Sequence, residues 1–292
     1  MASAIDGGVV LLTGASSGIG MEMARLIGPR ARVLLLVARR VDRLAKLKEE
    51  LLARSRSLHV EILGCDLSRR DEVERLVAEL RSRGFGDVDV LVNNAGVGLM
   101  GAFDRADLGR TMAMLDLNVT APTILTHAFL PGMVARRRGG ILNVSSGFGM
   151  AVMPSFAAYI GTKHFTTGFS EGLVADLAGT GVTVTQVCPG PVATEFEQNI
   201  GNFSGQKPPG LVEISAARCA RSAIRAFDRG RAMVVPGLVM KLVMAINDAS
   251  PRFLRRLFAR AIGLIARKKE LEATAREGHS GAIKELPPDA RT

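Results

Sequence analysis

The sequence predicts a doubly wound, parallel seven-stranded α/β sheet in a single domain, followed by a C-terminal helical extension. Three observations predict it. Short apolar, mostly β-branched runs recur along the first 236 residues, amphipathic stretches of helical length separate them, and a glycine-rich turn follows the first run. Runs that are apolar throughout suit strands covered on both faces, and parallel neighbours need the long crossovers that helices supply.

Taken in order, the strand candidates are Val9–Thr13, Val33–Val37, Leu58–Leu63, Val88–Val92, Ile141–Val144, Val182–Val187 and Met233–Val235. Asp42–Leu52 and Asp71–Leu80 interleave charges with leucine and valine as helices do. Glu195–Gly210 is polar and rich in Gly, Asn and Pro, so a mobile loop is expected there. After Pro236 come two helical patterns split by Pro251. The expected division is a catalytic domain over 1–236, an amphipathic extension over 237–269 and a polar, fraying tail over 270–292.

Composition narrows the class. The chain has 292 residues, 47% hydrophobic and 23% charged, enough for one large core. Cys65, Cys188 and Cys219 lie far apart, and His59, His127, His164 and His279 have no metal-ligand spacing. Reduced thiols, no metal and a cytoplasmic location are therefore expected. The N-terminus lacks a basic region before a long apolar run, and no stretch has the apolar length of a membrane span. Aromatic residues are 4% with no Trp and one Tyr, too few for the stacking platforms that bind single-stranded nucleic acid.

The first run ends in Thr13-Gly14-Ala15-Ser16-Ser17-Gly18-Ile19-Gly20, and a helix follows. Glycines let the backbone approach a pyrophosphate, and a helix N-terminus offers free N–H groups and a positive dipole end. A dinucleotide is the expected occupant. An acidic residue that binds an unphosphorylated ribose belongs at the end of the second strand. The sequence there is Val37-Ala38-Arg39-Arg40, with Arg39 lying 21 residues after Gly18. Two guanidinium groups suit a 2′-phosphate, so NADP(H) is the expected cofactor.

The lone tyrosine opens Tyr159-Ile160-Gly161-Thr162-Lys163, which puts a phenol and an amine one helical turn apart. The lysine cation is expected to lower the phenol's pKa and make it an acid for a forming alkoxide. Together with Asn93-Asn94-Ala95-Gly96, Asn118, Asn143-Val144-Ser145-Ser146 and Pro189-Gly190, in this order, these motifs resemble the short-chain dehydrogenase/reductase family over roughly residues 8 to 236. The resemblance implies a Rossmann-type fold and an NADP(H)-dependent carbonyl reductase or alcohol dehydrogenase. It implies that Tyr159 exchanges the proton and Ser146, 13 residues earlier, hydrogen-bonds the substrate oxygen. Lys163 would hold the nicotinamide ribose, and Asn118 would anchor a water-linked proton relay. Asp66 and Leu67 would meet the adenine, Asn94, Ala95 and Gly96 would line the cofactor, and Val192 and Thr194 would contact the carboxamide after Pro189 and Gly190. Ser17 stands where some NADP-using relatives carry a basic residue, leaving the phosphate to Arg39 and Arg40. Singly, Asn118, Ser145, Ser146 and Asp66 would also suit caps and strand ends.

Leu99, Met100, Phe148, Met150, Met153 and Phe156 lie near the motifs and suggest a hydrophobic carbonyl substrate. The alternatives are a 3-oxoacyl thioester reductase and a non-catalytic NADP(H)-binding sensor or scaffold. The family's habit implies a homo-oligomer. Net charge is +10, and seven of the cations fall between Pro251 and Lys269 with no acidic residue among them. There Phe253, Leu254, Leu257, Phe258, Ile262 and Ile265 are expected to pack on the body or on a second subunit, with the cations solvated. The alternative is contact with an anionic membrane surface.

Overall fold

The computed structural model describes residues 3–196, 200, 210 and 212–280, with side chains described as far as residue 272. All seven predicted runs are strands: β1 (Val9–Thr13), β2 (Val33–Ala38), β3 (His59–Gly64), β4 (Val90–Asn93), β5 (Gly139–Val144), β6 (Val182–Val187) and β9 (Met233–Val234). They form one sheet in the order β3-β2-β1-β4-β5-β6-β9, and every pairing is parallel. Two further short strands, β7 (Val192–Ala193) and β8 (Ile214–Ser215), pair with each other.

Alternation along each strand divides the core into two layers. Val10, Leu12, Leu34 and Leu36 face α1 (Gly18–Ile27), α2 (Val41–Arg54) and α7 (Ala216–Asp228). Val9, Leu11, Val33 and Leu35 face α3 (Arg70–Ser82), α5 (Ala121–Ala135) and α6 (Ala157–Asp176). Both faces are apolar because both are covered, which is why the runs lack polar alternation. The order of strands reverses between β1 and β4, and in such sheets the crevice beyond those strand ends is where ligands bind. A helix α4 (Leu108–Leu115) enters α5 through a π-helical turn at Asp116–Thr120.

The extension forms α8 (Leu238–Ala249) and α9 (Arg252–Ser280), broken at Pro251 as expected. Two expectations fail there. The helix does not end at Lys269. Glu270 is buried and its carboxylate accepts the N–H of Ala102 at 3.1 and 3.2 Å, while Arg267 pairs with both oxygens of Asp104 at 2.9 Å. These contacts hold the helix at Glu270, the first residue of the tail that was expected to fray, and the helix continues to Ser280. Nor does the large apolar stripe pack on the body, one of the two places expected for it. Phe253, Leu257 and Phe258 are 67%, 66% and 69% exposed, and of the six stripe residues Ile262 alone turns toward the body. Small residues take the inner side: a Cβ on Gly263 would stand 3.6 Å from Pro154, so the helix backbone itself rests on the proline. Most of the expected Glu195–Gly210 loop, residues 197–199 and 201–209, lies outside the described residues. Among the described residues, no helix is long and apolar enough to cross a membrane.

Candidate active site

The glycine turn sits where β1 and β4 end together. Gly14 has φ +67°, and a Cβ there would stand 2.8 Å from Ala95 Cα and from Asn94 Nδ2. Thr13 Oγ1 accepts the N–H groups of Asn94 and Ala95 at 3.0 and 3.1 Å, and donates to Val92 O. Asn94 Nδ2 returns the tie, donating to Thr13 O at 2.9 Å and Gly14 O at 3.1 Å. α1 begins at Gly18 with no side-chain cap from Ser17 and no acidic residue in its first turn. Its positive end and first N–H groups therefore remain for an anion. Ile19 anchors the helix start on the core, and Gly20 packs under Gly14 and Asn94. Thr194 approaches from the far side, 3.1 Å from where a Cβ of Gly18 would be.

Arg40 lies beside this turn, donating to Ser17 Oγ at 2.9 Å and Ser16 Oγ at 3.3 Å, and Arg39 is exposed next to it. Asp66 Oδ1 accepts from the N–H and hydroxyl of Ser68 at 3.0 and 2.7 Å, a turn-capping arrangement, and Leu67 is buried behind it. Pro189 O accepts the N–H of Gly147 at 2.7 Å, and Gly190 packs against Met240 of α8. A cradle that a Cβ would fill, an uncapped helix start and a neighbouring guanidinium together could hold a pyrophosphate and a second phosphate group.

α6 turns an unusually polar face inward: Tyr159, Thr162, Lys163, Thr166 and Ser170 are all buried. Ser146 lies beside Tyr159, and its Oγ accepts the N–H of Phe148 at 3.1 Å. Ser145, its neighbour, instead bonds Lys163 O at 3.2 Å and Thr167 Oγ1 at 3.1 Å. Lys163 Nζ lies 5.8 Å from the centre of the Tyr159 ring and donates to Val144 O at 3.0 Å. Asn118 sits in the π-helical turn, where its amide takes the N–H of Val97 at 3.1 Å and donates to Val97 O and Thr162 Oγ1 at 2.9 and 3.0 Å. A Cβ on Gly96 would stand 3.2 Å from Asn118 Oδ1 and 3.5 Å from Lys163 Nζ, so that glycine keeps the two groups in one space.

Electrostatics correct one expectation. Burial pushes the Tyr159 phenol up to about 12, and the Ser146 hydroxyl beside it pulls the other way without prevailing. Burial also brings the Lys163 ammonium down to about 8, with the nearby Cys188 opposing. The lysine was expected to lower the tyrosine; desolvation of both groups wins instead. Three phenylalanines enclose the phenol, with ring centres 6.2 Å away for Phe148, 6.2 Å for Phe156 and 5.7 Å for Phe196. Phe196, Thr13, Thr162 and Arg43 were not singled out from the sequence. Thr162 carried a signal, since it lies between Tyr159 and Lys163 in their motif; Phe196 did not.

Residues 8–204 match the family described as short chain dehydrogenase. The chain belongs to that family. This short-chain dehydrogenase is thus an oxidoreductase, and it is similar to a rat protein named dehydrogenase/reductase SDR family member 7B. That relative is 30% identical over 263 residues, covering 86% of this chain and 80% of the relative. It is also similar to a sulfoacetaldehyde reductase of Chromohalobacter salexigens, 39% identical over 64% of this chain and 73% of that one. Among solved structures, a short-chain dehydrogenase from Sphingobium yanoikuyae in complex with NADPH matches with a TM-score of 0.72 at 28% identity. It covers 97% of this chain and 99% of its own, so the likeness includes the C-terminal extension.

Proposed function

We propose that the chain interconverts a hydrophobic carbonyl compound and its alcohol with NADP(H), Tyr159 exchanging the proton. The observation that carries the reading is the burial of Tyr159 and Lys163 together on one face of α6, with Lys163 Nζ 5.8 Å from the centre of the phenol ring. Gly14, Gly18 and the start of α1 would hold the pyrophosphate, and Arg40 with Arg39 the 2′-phosphate; the NADPH of the Sphingobium relative supports this. The cofactor supplies the hydride when bound.

The chain's own groups do the rest. A phenol held protonated by burial keeps its proton until an alkoxide forms within reach of the Ser146 hydroxyl, then releases it. The phenolate left behind is stabilised by the Ser146 hydroxyl and by protonated Lys163. Asn118, locked between Val97 and Thr162, keeps its amide beside the lysine for the proton's return. Phe148, Phe156 and Phe196 exclude water from the phenol and favour an apolar substrate. Three buried free cysteines support a reducing, cytoplasmic setting.

The test is NADPH oxidation across lipophilic ketones, 3-oxoacyl thioesters and sulfoacetaldehyde, with Tyr159→Phe alongside. Lipophilic ketones are expected to turn over best, and the variant to lose about 10²-fold or more of kcat. The 39% identical relative makes sulfoacetaldehyde the informative competitor. Preference for it would overturn the apolar reading, and unchanged turnover by Tyr159→Phe would overturn the mechanism. Tight NADPH binding with no turnover on any of these would favour a sensor.

A further inference from the structure

We infer that the outer face of α9 docks on an anionic lipid surface. The helix has its amphipathicity reversed. A helix lying on a protein body turns its large apolar residues inward and its polar ones to solvent. Here Ala259, Gly263 and Ala266 face the body, with Gly263 on Pro154 and Glu270 buried against Ala102. The opposite side presents two adjacent rows, each advancing by four and then seven residues: Phe253, Leu257 and Leu264, and Leu254, Phe258 and Ile265. Every one of these six is at least 47% exposed, and Leu264 is 70% exposed. The face is two side chains wide and runs from Phe253 to Ile265, the first half of the helix. α8 adds Leu238, Leu242 and Ile246, at four-residue spacing and 79%, 61% and 59% exposed.

Charge identifies the occupant. Arg256 and Arg260 advance beside the Phe253 row, Lys269 stands beyond the Phe258–Ile265 row, and Arg252 and Lys268 are exposed toward the two ends. No acidic residue interrupts this stretch before Glu270, which faces inward. An apolar face flanked by cations fits the boundary between acyl chains and phosphate headgroups, where the first is buried and the second are neutralised. A second copy of the chain fits poorly. Packing this face on itself would gather the cations of both copies without counter-charge. The inference stands independently of the carbonyl chemistry.

Vesicle sedimentation of the full chain tests it. Sedimentation is expected with vesicles of equal parts phosphatidylcholine and phosphatidylglycerol, and not with phosphatidylcholine alone. Leu257→Ser with Phe258→Ser is expected to weaken partitioning about tenfold or more, and Arg256→Glu with Arg260→Glu to weaken it about as much. Both pairs are exposed, so the thermal unfolding midpoint should hold. The chain contains no tryptophan, so Leu257→Trp creates a single indole whose emission should shift to the blue on the anionic vesicles only. A full chain left in the supernatant with anionic vesicles overturns the proposal. So does a double-serine variant that binds vesicles like the parent, or one that only converts a dimer into monomers in analytical ultracentrifugation.

Discussion

Glu195 accepts a hydrogen bond from Arg40 at 2.9 Å, and its other oxygen takes one from Arg43 at 2.6 Å. The same Arg40 donates to Ser16 and Ser17 of the glycine turn. A carboxylate next in sequence to Phe196, which covers Tyr159, therefore sits on the guanidinium proposed for the 2′-phosphate. The two guanidinium groups hold the Glu195 carboxyl below its ordinary range, Arg43 contributing most.

Carboxylate and phosphate compete for one guanidinium, which gives opposite expectations for its two partners. Arg40→Ala should raise the Kd for NADPH about tenfold or more and leave that for NADH nearly unchanged, since a charge-assisted hydrogen bond contributes about 1.5–3 kcal/mol. Glu195→Gln should lower the NADPH Kd severalfold. Isothermal titration of both cofactors checks each; equal losses for NADPH and NADH in Arg40→Ala would remove Arg40 from the phosphate site.

Lys163 predicts a stability profile. Its folded-state pKa, about 8, lies below the ordinary 10.5. Between those values the unfolded chain binds more protons, so unfolding free energy rises with pH. The stabilisation is complete above 10.5 and is lost as pH falls through about 8, amounting to up to about 3 kcal/mol. The three buried thiols, pushed up to about 12, lower stability over the same range, so denaturant melts of the cofactor-free protein at pH 7.5 and 9.5 should show the rise as a difference from Lys163→Met. Equal slopes in the two proteins would assign the rise to other groups.

Gly14 is a backbone requirement. Alanine there would carry φ +67° and a Cβ against Ala95 and Asn94, so Gly14→Ala should cost about 3 kcal/mol or more. Gly172, exposed in α6 with nothing within 4 Å of a new Cβ, offers the contrast. Gly172→Ala should be neutral or stabilise by up to about 1 kcal/mol. Thermal melts of the two variants decide whether the clash matters.

The anchor of α9 should divide unequally between its two contacts. Glu270 is buried and accepts a backbone N–H, so Glu270→Ala should cost about 1–3 kcal/mol and speed hydrogen exchange in the last turns of α9. Arg267 and Asp104 are about half exposed, and Asp104→Asn should leave the unfolding midpoint nearly unchanged. A larger loss from Asp104→Asn than from Glu270→Ala would reverse the assignment.

The sheet was legible because its strands are apolar on both faces, and the site because Gly14, Tyr159 and Lys163 answer to local geometry. Contacts between distant segments were not. Arg40 was readable from its place at the end of β2 as a candidate for the 2′-phosphate, but no local pattern joins it to Glu195, 155 residues away. The side of α9 that faces the body was unreadable for a similar reason. Its periodicity is the same whichever side faces the body, and the choice rests on Gly263 meeting Pro154 and Glu270 meeting Ala102. Desolvation of Tyr159 was only partly visible, because Phe148 and Phe156 lie near its motif while Phe196 reaches it from a distant segment.

The central position of β1 bears on how the chain is made. Its partners are β2 on one edge and β4 on the other, so a ribosome that has released the first sixty-odd residues has supplied only one of them. Until Val90–Asn93 emerges, the uncharged strand Val9–Thr13 keeps an open edge and one uncovered face, the combination that invites pairing with another nascent chain. Chaperone dependence during synthesis should therefore concentrate in the interval between β3 and β4.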